Sequence, residues 1–588
     1  LSSLFWLNKY FIKYKWHFVS GVLFIIISNV FGAWSPMLVR KSFGVIESLL
    51  KDKNNEDVWW KILMNKEILT LVFLIFIFSL IRGLFLYYVR QTIIVMSRLI
   101  EYDLKAEIFK HYQTLDSSFY KMNKTGDIMA RLTEDVSRIR MYLGPSIMYL
   151  INLFFTFIIV LPVMFKVNFE LALYTLIPLP ILSLSIYFIN SIIEKKSDSI
   201  QKQLSEITSF VQECFAGIRV VKSFAKENAF YSKFINESQK YKQSNLSLAK
   251  VDSIFAPSMA FLIGWSTILC LLMSEKLLQA GKIETGNIPE FILYLNMLTW
   301  PVTALGWTIS QVQRAAVSQK RVIEFLNYSS KIQSISSSEK FVWNKSIEFI
   351  NVSFTYPETG IKALQNISFI IEKGKKLAIV GRTASGKTTI MELIARKYDV
   401  SEGKILIDGV DIKEIDIYQY RNILGYVPQD AFLFSDTINN NIAFGVNEAS
   451  KDEIENVAKQ VNIDNEITSL AQGYETIVGE RGITLSGGQK QRISIARAIL
   501  KNPQLLLLDD CLSAVDTYTD DVIFNSIIQK KCSVINITHR VLNLYKYDNI
   551  LVMNEGKIVD QGNFESLLHS ESIFYSFYQE QINTKELV

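Results

Sequence analysis

Apolar residues are distributed unevenly along this chain. Up to about residue 315, long runs of Phe, Leu and Ile alternate with charged stretches; beyond it, apolar runs are strand-length and separated by Gly, Asp and Asn. Six of the early runs, at 16–39, 68–89, 141–165, 171–193, 253–274 and 291–312, are long enough to cross a hydrocarbon layer of about 30 Å as helices. A water-soluble helical bundle would carry a polar stripe along each helix, and a segment such as 148–164 has none. The six runs hold one charge, Arg82. Arginine facing lipid at depth is costly, so Arg82 is expected to face other helices, a cavity or headgroups. Prolines 162, 178, 180, 257 and 301 are expected to bend helices where they remove a hydrogen bond.

The connections at about 90–140 and 194–252 are charged and helix-compatible. Membrane helices are therefore expected to continue beyond the bilayer, turn and return. The first fifteen residues mix Trp, Phe and Tyr with Lys9, Lys13 and Lys15, which suits an amphipathic helix lying in the membrane interface. The first apolar run is too long, and lacks the small-residue site, for a cleaved signal peptide. Serines 329, 330, 334 and 336–338 mark a linker. The expected divisions are a transmembrane domain at 1–327, a linker at 328–344 and a soluble α/β domain at 345–588.

With 588 residues the chain exceeds a single core. Its composition, 49% hydrophobic and 20% charged, averages over the two halves and conceals their difference. The net charge of +5 gives no reason to expect a nucleic-acid groove, so no nucleic-acid partner is expected. Cys214, Cys270, Cys511 and Cys532 lack metal-ligand spacing and are expected to be reduced packing residues.

Chemistry concentrates in the second half. Gly381-Arg382-Thr383-Ala384-Ser385-Gly386-Lys387-Thr388 follows the apolar run 377–380 and opens a helical pattern at Thr389. Glycines at the ends of such a loop let successive N–H groups face phosphate oxygens; Lys387 would reach the β- and γ-phosphates and Thr388 would offer a hydroxyl to Mg²⁺. Residues 381–389 are the candidate ATP contacts. The run 505–508 reads as a buried strand ending in Asp509, placed to hold Mg²⁺ through water. Leu485-Ser486-Gly487-Gly488-Gln489 opens another helical pattern, whose first amides and serine hydroxyl can clamp a phosphate.

From end to end the sequence resembles the type I ATP-binding cassette exporters. The stretches TGDIMARLTEDV (125–136) and GIRVVKSFAKE (217–227) are similar to landmarks of that family's helical extensions. The resemblance implies a multidomain fold: a six-helix transmembrane bundle with long cytoplasmic helical extensions, followed by an α/β P-loop ATPase domain. It places coupling helices near 116–120 and 208–216. It implies that Tyr356 stacks on adenine, although a strand-edge core tyrosine is the alternative. It further implies that Gln429 meets Mg²⁺ and the attacking water, that His539 touches the γ-phosphate, and that Asp510 polarises that water where the family usually has glutamate. Aspartate is one methylene shorter, and a displacement of about 1 Å can cost about 100-fold in rate. Ser486 to Gln489 would close on ATP held by the opposite subunit. Ser513-Ala514-Val515-Asp516 would cross the dimer interface, and residues 476–482 resemble the family's cross-linking segment. Ala384 replaces a commoner glycine.

These likenesses imply an ATP hydrolase coupled to transport, using ATP and Mg²⁺, in a multi-pass protein of the bacterial inner membrane with its ATPase domain in the cytoplasm. Partners would be membrane lipids, a hydrophobic or amphipathic substrate and a second half-transporter. The Asp510 substitution favours a heterodimer over a homodimer. Multidrug-type export of amphipathic small molecules leads; a lipid or lipopolysaccharide flippase is the alternative, and an ATP-gated channel or regulatory subunit is the alternative of another class.

Overall fold

A computed structural model describes residues 2–51, 64–335, 340–479, 482, 485–512, 517–530, 532–568 and 573–586. The chain forms two compact units, Leu1–Gln113 with Gly126–Tyr328, and Thr114–Thr125 with Ser329–Val588.

The first unit is helical. Among the described residues, five helical stretches are long and apolar enough to cross a membrane: Lys15–Leu50, Lys66–Thr114, Thr125–Val167, Phe169–Ala216 and Glu227–Gln279. The sixth expected span lies in the helix Asn287–Leu326, which is long enough but less apolar than the other five. Several of these helices run well past the length a bilayer requires, as their charged continuations lead one to expect. Pro178 begins a new helix, and the break falls at Ile177 between Phe169–Leu176 and Pro178–Ala216. Pro36, Pro162, Pro257 and Pro301 lie inside helices. The membrane core packs Val160, Met164, Leu171, Phe291, Tyr294 and Leu298 together. Glu290, fully buried, is paired with Arg40 at 3.6 Å and hydrogen-bonded by Asn287 and Tyr294.

One expectation needs correction. The segment 208–216 is not a separate coupling helix; it is the last part of the continuous helix Pro178–Ala216. Gly217 ends that helix, and the short helix Ile218–Ser223 forms the turn before Glu227–Gln279 begins. The second tip thus lies after the glycine. The N-terminal segment is held by protein as well: Leu4, Leu7 and Tyr10 are buried, Lys9 and Tyr10 bond Glu107, and Lys13 and Tyr14 bond Asp103 on the helix Val95–Thr114. Phe5, Ile12 and Trp16 remain exposed on its other side.

The second unit contains two sheets. A four-stranded antiparallel sheet has the order β2-β1-β4-β5, formed by Ser346–Thr355 (β1), Lys362–Glu372 (β2), Glu402–Ile407 (β4) and Val410–Asp411 (β5). A six-stranded sheet runs β10-β9-β3-β8-β7-β6, formed by Lys376–Gly381 (β3), Leu424–Val427 (β6), Leu505–Asp509 (β7), Ser533–Ile537 (β8), Asn549–Asn554 (β9) and Lys557–Gly562 (β10). All its pairings are parallel except β9 with β10. β7 and β8 are buried along their whole length, as strands covered on both faces must be. One core joins Ile347, Phe349, Phe369, Ile390 and Ile394; a second lies under the helices around Leu433, Ile454, Ile493 and Ile499.

Candidate nucleotide site

Strand register gathers the site. Asp509 pairs with Ile537, and Ile379 pairs with the same Ile537, so β7, β8 and β3 end side by side. Val427 pairs with Leu508, which brings the end of β6 to the same edge. The carboxyl ends of parallel strands are where open α/β sheets bind ligands. Here that edge carries Gly381 and the loop after it, Gln429, Asp509 with Asp510, and His539.

The loop leaves β3 and enters the helix Lys387–Ile394. Gly386 has φ 96°, and a side chain there would meet the Ala363 carbonyl at 2.6 Å; one on Gly381 would collide with the Met553 carbonyl. Ala384 also sits in the left-handed region, at φ 65°, where a Cβ is costly. The Lys387 ammonium donates to the carbonyls of Gly381 and Arg382 at 2.8 and 2.7 Å. Burial pulls its pKa down, opposed by the charges of Asp510 and Asp509.

Thr388 donates its hydroxyl to Asp509 at 3.1 Å. Burial pushes the Asp509 carboxyl up to about 6. Burial raises the Asp510 carboxyl, and the positive charges of His539, Lys387 and Arg540 oppose that shift. Asp510 adopts φ 44° and its N–H donates to Ile537; aspartate tolerates this left-handed backbone better than most residues.

The residues fit Mg²⁺-ATP. Glycines hold the loop in a curl, Ser385 has a buried hydroxyl with no hydrogen-bond partner among the described residues, and Thr388 and Asp509 form a hard-oxygen pair. Among the described residues no group of three or more His, Cys, Asp or Glu could hold a metal alone, so Thr388 and Asp509 would share the ion with phosphate oxygens. A cavity of about 550 Å³ is lined by Gly381, Arg382, Thr383, Thr538 and His539 together with Gln581. Gln581, on the helix Ile573–Glu586, donates to the His539 carbonyl and accepts from the Val541 N–H. No motif in the sequence marks that clamp.

Tyr356 follows β1 and packs edge-on to Phe354 and Tyr398. Its hydroxyl bonds Glu392 at 2.9 Å and Thr389 at 3.0 Å, so Thr389 is buried against the tyrosine. Lys121, on the short helix Ser117–Met122, lies 5.1 Å from the centre of the Tyr356 ring and pairs with Glu392 at 3.3 Å. Asp116 caps that helix and accepts from the Lys331 N–H. Gln429 is exposed just beyond β6. Leu485 is partly buried, and Ser486 and Gln489 form a reciprocal capping box at the start of the helix Gly487–Leu500, with Gly487 exposed. Gln489 also donates to Glu466 at 2.8 Å. Residues 513–516 and parts of 476–482 lie outside the described residues.

A P-loop sheet whose strand ends carry this set, in a chain with several membrane-length helices, defines a membrane-bound ATPase of the cassette type. The ABC transporter transmembrane region model matches residues 20–302, and the ABC transporter model matches 364–513. The chain belongs to the ABC transporter family, as a type I exporter with fused transmembrane and nucleotide-binding parts. It is 32% identical to the multidrug resistance-like ATP-binding protein MdlA of Buchnera aphidicola subsp. Schizaphis graminum, over 98% of this chain and 97% of that one. It is 35% identical to the probable multidrug resistance ABC transporter ATP-binding/permease protein YheI of Bacillus subtilis, over 82% of this chain and 83% of its relative. A solved bacterial Atm1-family ABC exporter with ATP bound shares the fold, with a TM-score of 0.79 and 24% identity, over 96% of this chain and 98% of that one. The chain is a multi-pass membrane ATPase whose nucleotide domain is cytoplasmic.

Proposed function

We propose that this chain is half of an ATP-driven exporter of amphipathic small molecules of the multidrug kind. The observation that carries the reading is a cavity of about 850 Å³ among the apolar helices, walled by Trp300, Tyr149 and Met297 with a few polar groups. Cavities of this size and mixed lining suit drug-sized ligands.

In the nucleotide domain, Lys387 and the loop amides bind phosphate, Thr388 and Asp509 orient the ion, and Asp510 with Gln429 holds the attacking water. Mg²⁺, when bound, neutralises charge on the phosphates. His539, steadied by Gln581, meets the terminal phosphate, and Tyr356 borders the base. Ser486 still has its O–H to donate, since in the capping box the oxygen only accepts. Its exposure with Gly487 favours a role on nucleotide held by a second half-transporter. Phe215, Val220 and Phe224 are exposed at the second tip and give such a partner a surface. The shortened Asp510 favours a heterodimer, in which the other site turns over faster.

The test is ATPase turnover of the purified chain in lipid, alone and mixed with a candidate second half-transporter, across a panel of drugs and lipids. Saturable stimulation by amphipathic drugs is expected, with the mixture faster than the chain alone. Equal rates would remove the heterodimer, and no response to any amphipath would remove the multidrug reading.

A further inference from the structure

The helix Lys66–Val89 carries Arg82 sixteen residues from its start, about 24 Å along the helix at 1.5 Å per residue. Arg82 lines the 850 Å³ cavity, and so does Arg90, where the helix passes into one π-type turn, Arg90–Ile94. Such turns are often found at functional sites. Among the described residues neither guanidinium has an ion pair or a hydrogen bond. Among the described residues the cavity lining contains no aspartate or glutamate. Other membrane-unit charges are treated differently: Arg40 has Glu290, and Arg140 has Glu101 at 3.3 Å.

The helix carrying Gly32 makes room for this arrangement. A Cβ on Gly32 would come within 3.3 Å of the Arg82 guanidinium carbon and 3.1 Å of the Met297 methyl. Glycine lets the planar group lie against the backbone of the first span. On another wall, Asn152 accepts from Asn29, and Asn29 accepts from Thr156, both at 3.1 Å. These uncharged groups are tied to one another. The arginines stay available, each with five donors in a fork that matches a carboxylate, phosphate or sulfonate.

We propose that this cavity selects amphipaths with an anionic head, which Arg82 engages directly and Arg90 assists, while Trp300 and Met297 take the apolar body. The inference rests on the reading of the cavity as the amphipath site and adds the sign of the cargo's charge.

The test compares two dyes of one skeleton, 1-anilinonaphthalene-8-sulfonate and neutral N-phenyl-1-naphthylamine. Each is titrated into the full chain in phosphatidylcholine nanodiscs and read by energy transfer from tryptophan, with Trp300→Phe marking the cavity signal. The sulfonate is expected to bind about 10-fold tighter than the neutral dye, as one added charge-assisted contact allows. Arg82→Gln erases that preference and leaves the neutral dye within about twofold, Arg82→Lys keeps part of it, and Arg90→Gln reduces it less. Equal affinities in the wild type, or an equal loss for both dyes in Arg82→Gln with Arg82→Lys well folded, would overturn the proposal. Failure of both dyes to give a Trp300-dependent signal would instead remove the cavity reading beneath it. Replacing part of the lipid with phosphatidylglycerol separates the sources of the anion. Displacement of the sulfonate assigns the head to a lipid, and its retention assigns it to a soluble amphipath.

Discussion

The charges of the nucleotide unit and those of the membrane cavity are held in opposite ways. At the strand ends, Lys387 is tied to two carbonyls, Asp509 to Thr388, and Arg540 to Asp520 at 2.6 Å. Each group is fixed before any ligand arrives, as electrostatic catalysis requires. In the cavity, Arg82 and Arg90 line a space bounded by aromatic, apolar and uncharged polar side chains, with no carboxylate among the described lining residues. The fixed charges suit one reaction repeated on one ligand, whereas the proposed cavity function needs charges that remain open to an incoming head group.

If the nucleotide site is preorganised, removing one fixed charge should be severe. Lys387→Ala is expected to reduce ATPase turnover by about 1,000-fold or more, since a charged phosphate contact in a partly dry site is lost. Turnover within tenfold of wild type, measured in lipid, would break the contrast. Asp510→Glu comes next. The longer side chain restores reach and should raise turnover by about 10- to 100-fold, with part of the gain offset by the left-handed backbone at φ 44°. An unchanged rate with ATP binding intact would mean that reach is not limiting.

A smaller effect follows from Asp509. Its carboxyl titrates near 6 in the folded chain, above the ordinary aspartate value of 3.8. The folded state therefore holds this proton more tightly than the unfolded state. Stability gained by protonation is fully present below about pH 4 and is lost as pH rises through about 6, at roughly 1.4 kcal/mol per unit between them. Thermal unfolding of Asp509→Asn should lack this part of the pH dependence; an identical profile would contradict the buried-carboxyl assignment. The smallest effect is at Ala384, whose φ of 65° favours glycine. Ala384→Gly should stabilise the nucleotide unit by about 1 kcal/mol in chemical unfolding, and destabilisation would show that the strain is relieved elsewhere.

The two regions also differ in how much of them can be read from sequence. Gly381 to Thr388 is a contiguous loop, and Asp509 and His539 each follow an apolar strand-length run, so local pattern carries their positions. Gln581 is different: it reaches His539 from a helix 42 residues later, with nothing in its surroundings to mark it. In the membrane unit, Arg82 is visible as a lone charge, but its cavity draws on helices far apart in the chain, and Gly32 has meaning only beside Arg82 and Met297. The second helical tip lies beyond 208–216 for a local reason. Charged, helix-compatible residues continue to Ala216, and only Gly217 stops them. Lys9 and Lys13 suit a membrane surface equally well until Glu107 and Asp103 are brought opposite them.

The most direct measurement is ATP-dependent accumulation of a fluorescent amphipath in inside-out vesicles containing the assembled dimeric exporter. Saturable uptake that requires ATP and vanishes in Lys387→Ala is the result expected of an exporter. Flux that persists without ATP turnover, or a sustained ionic current in place of uptake, would contradict it.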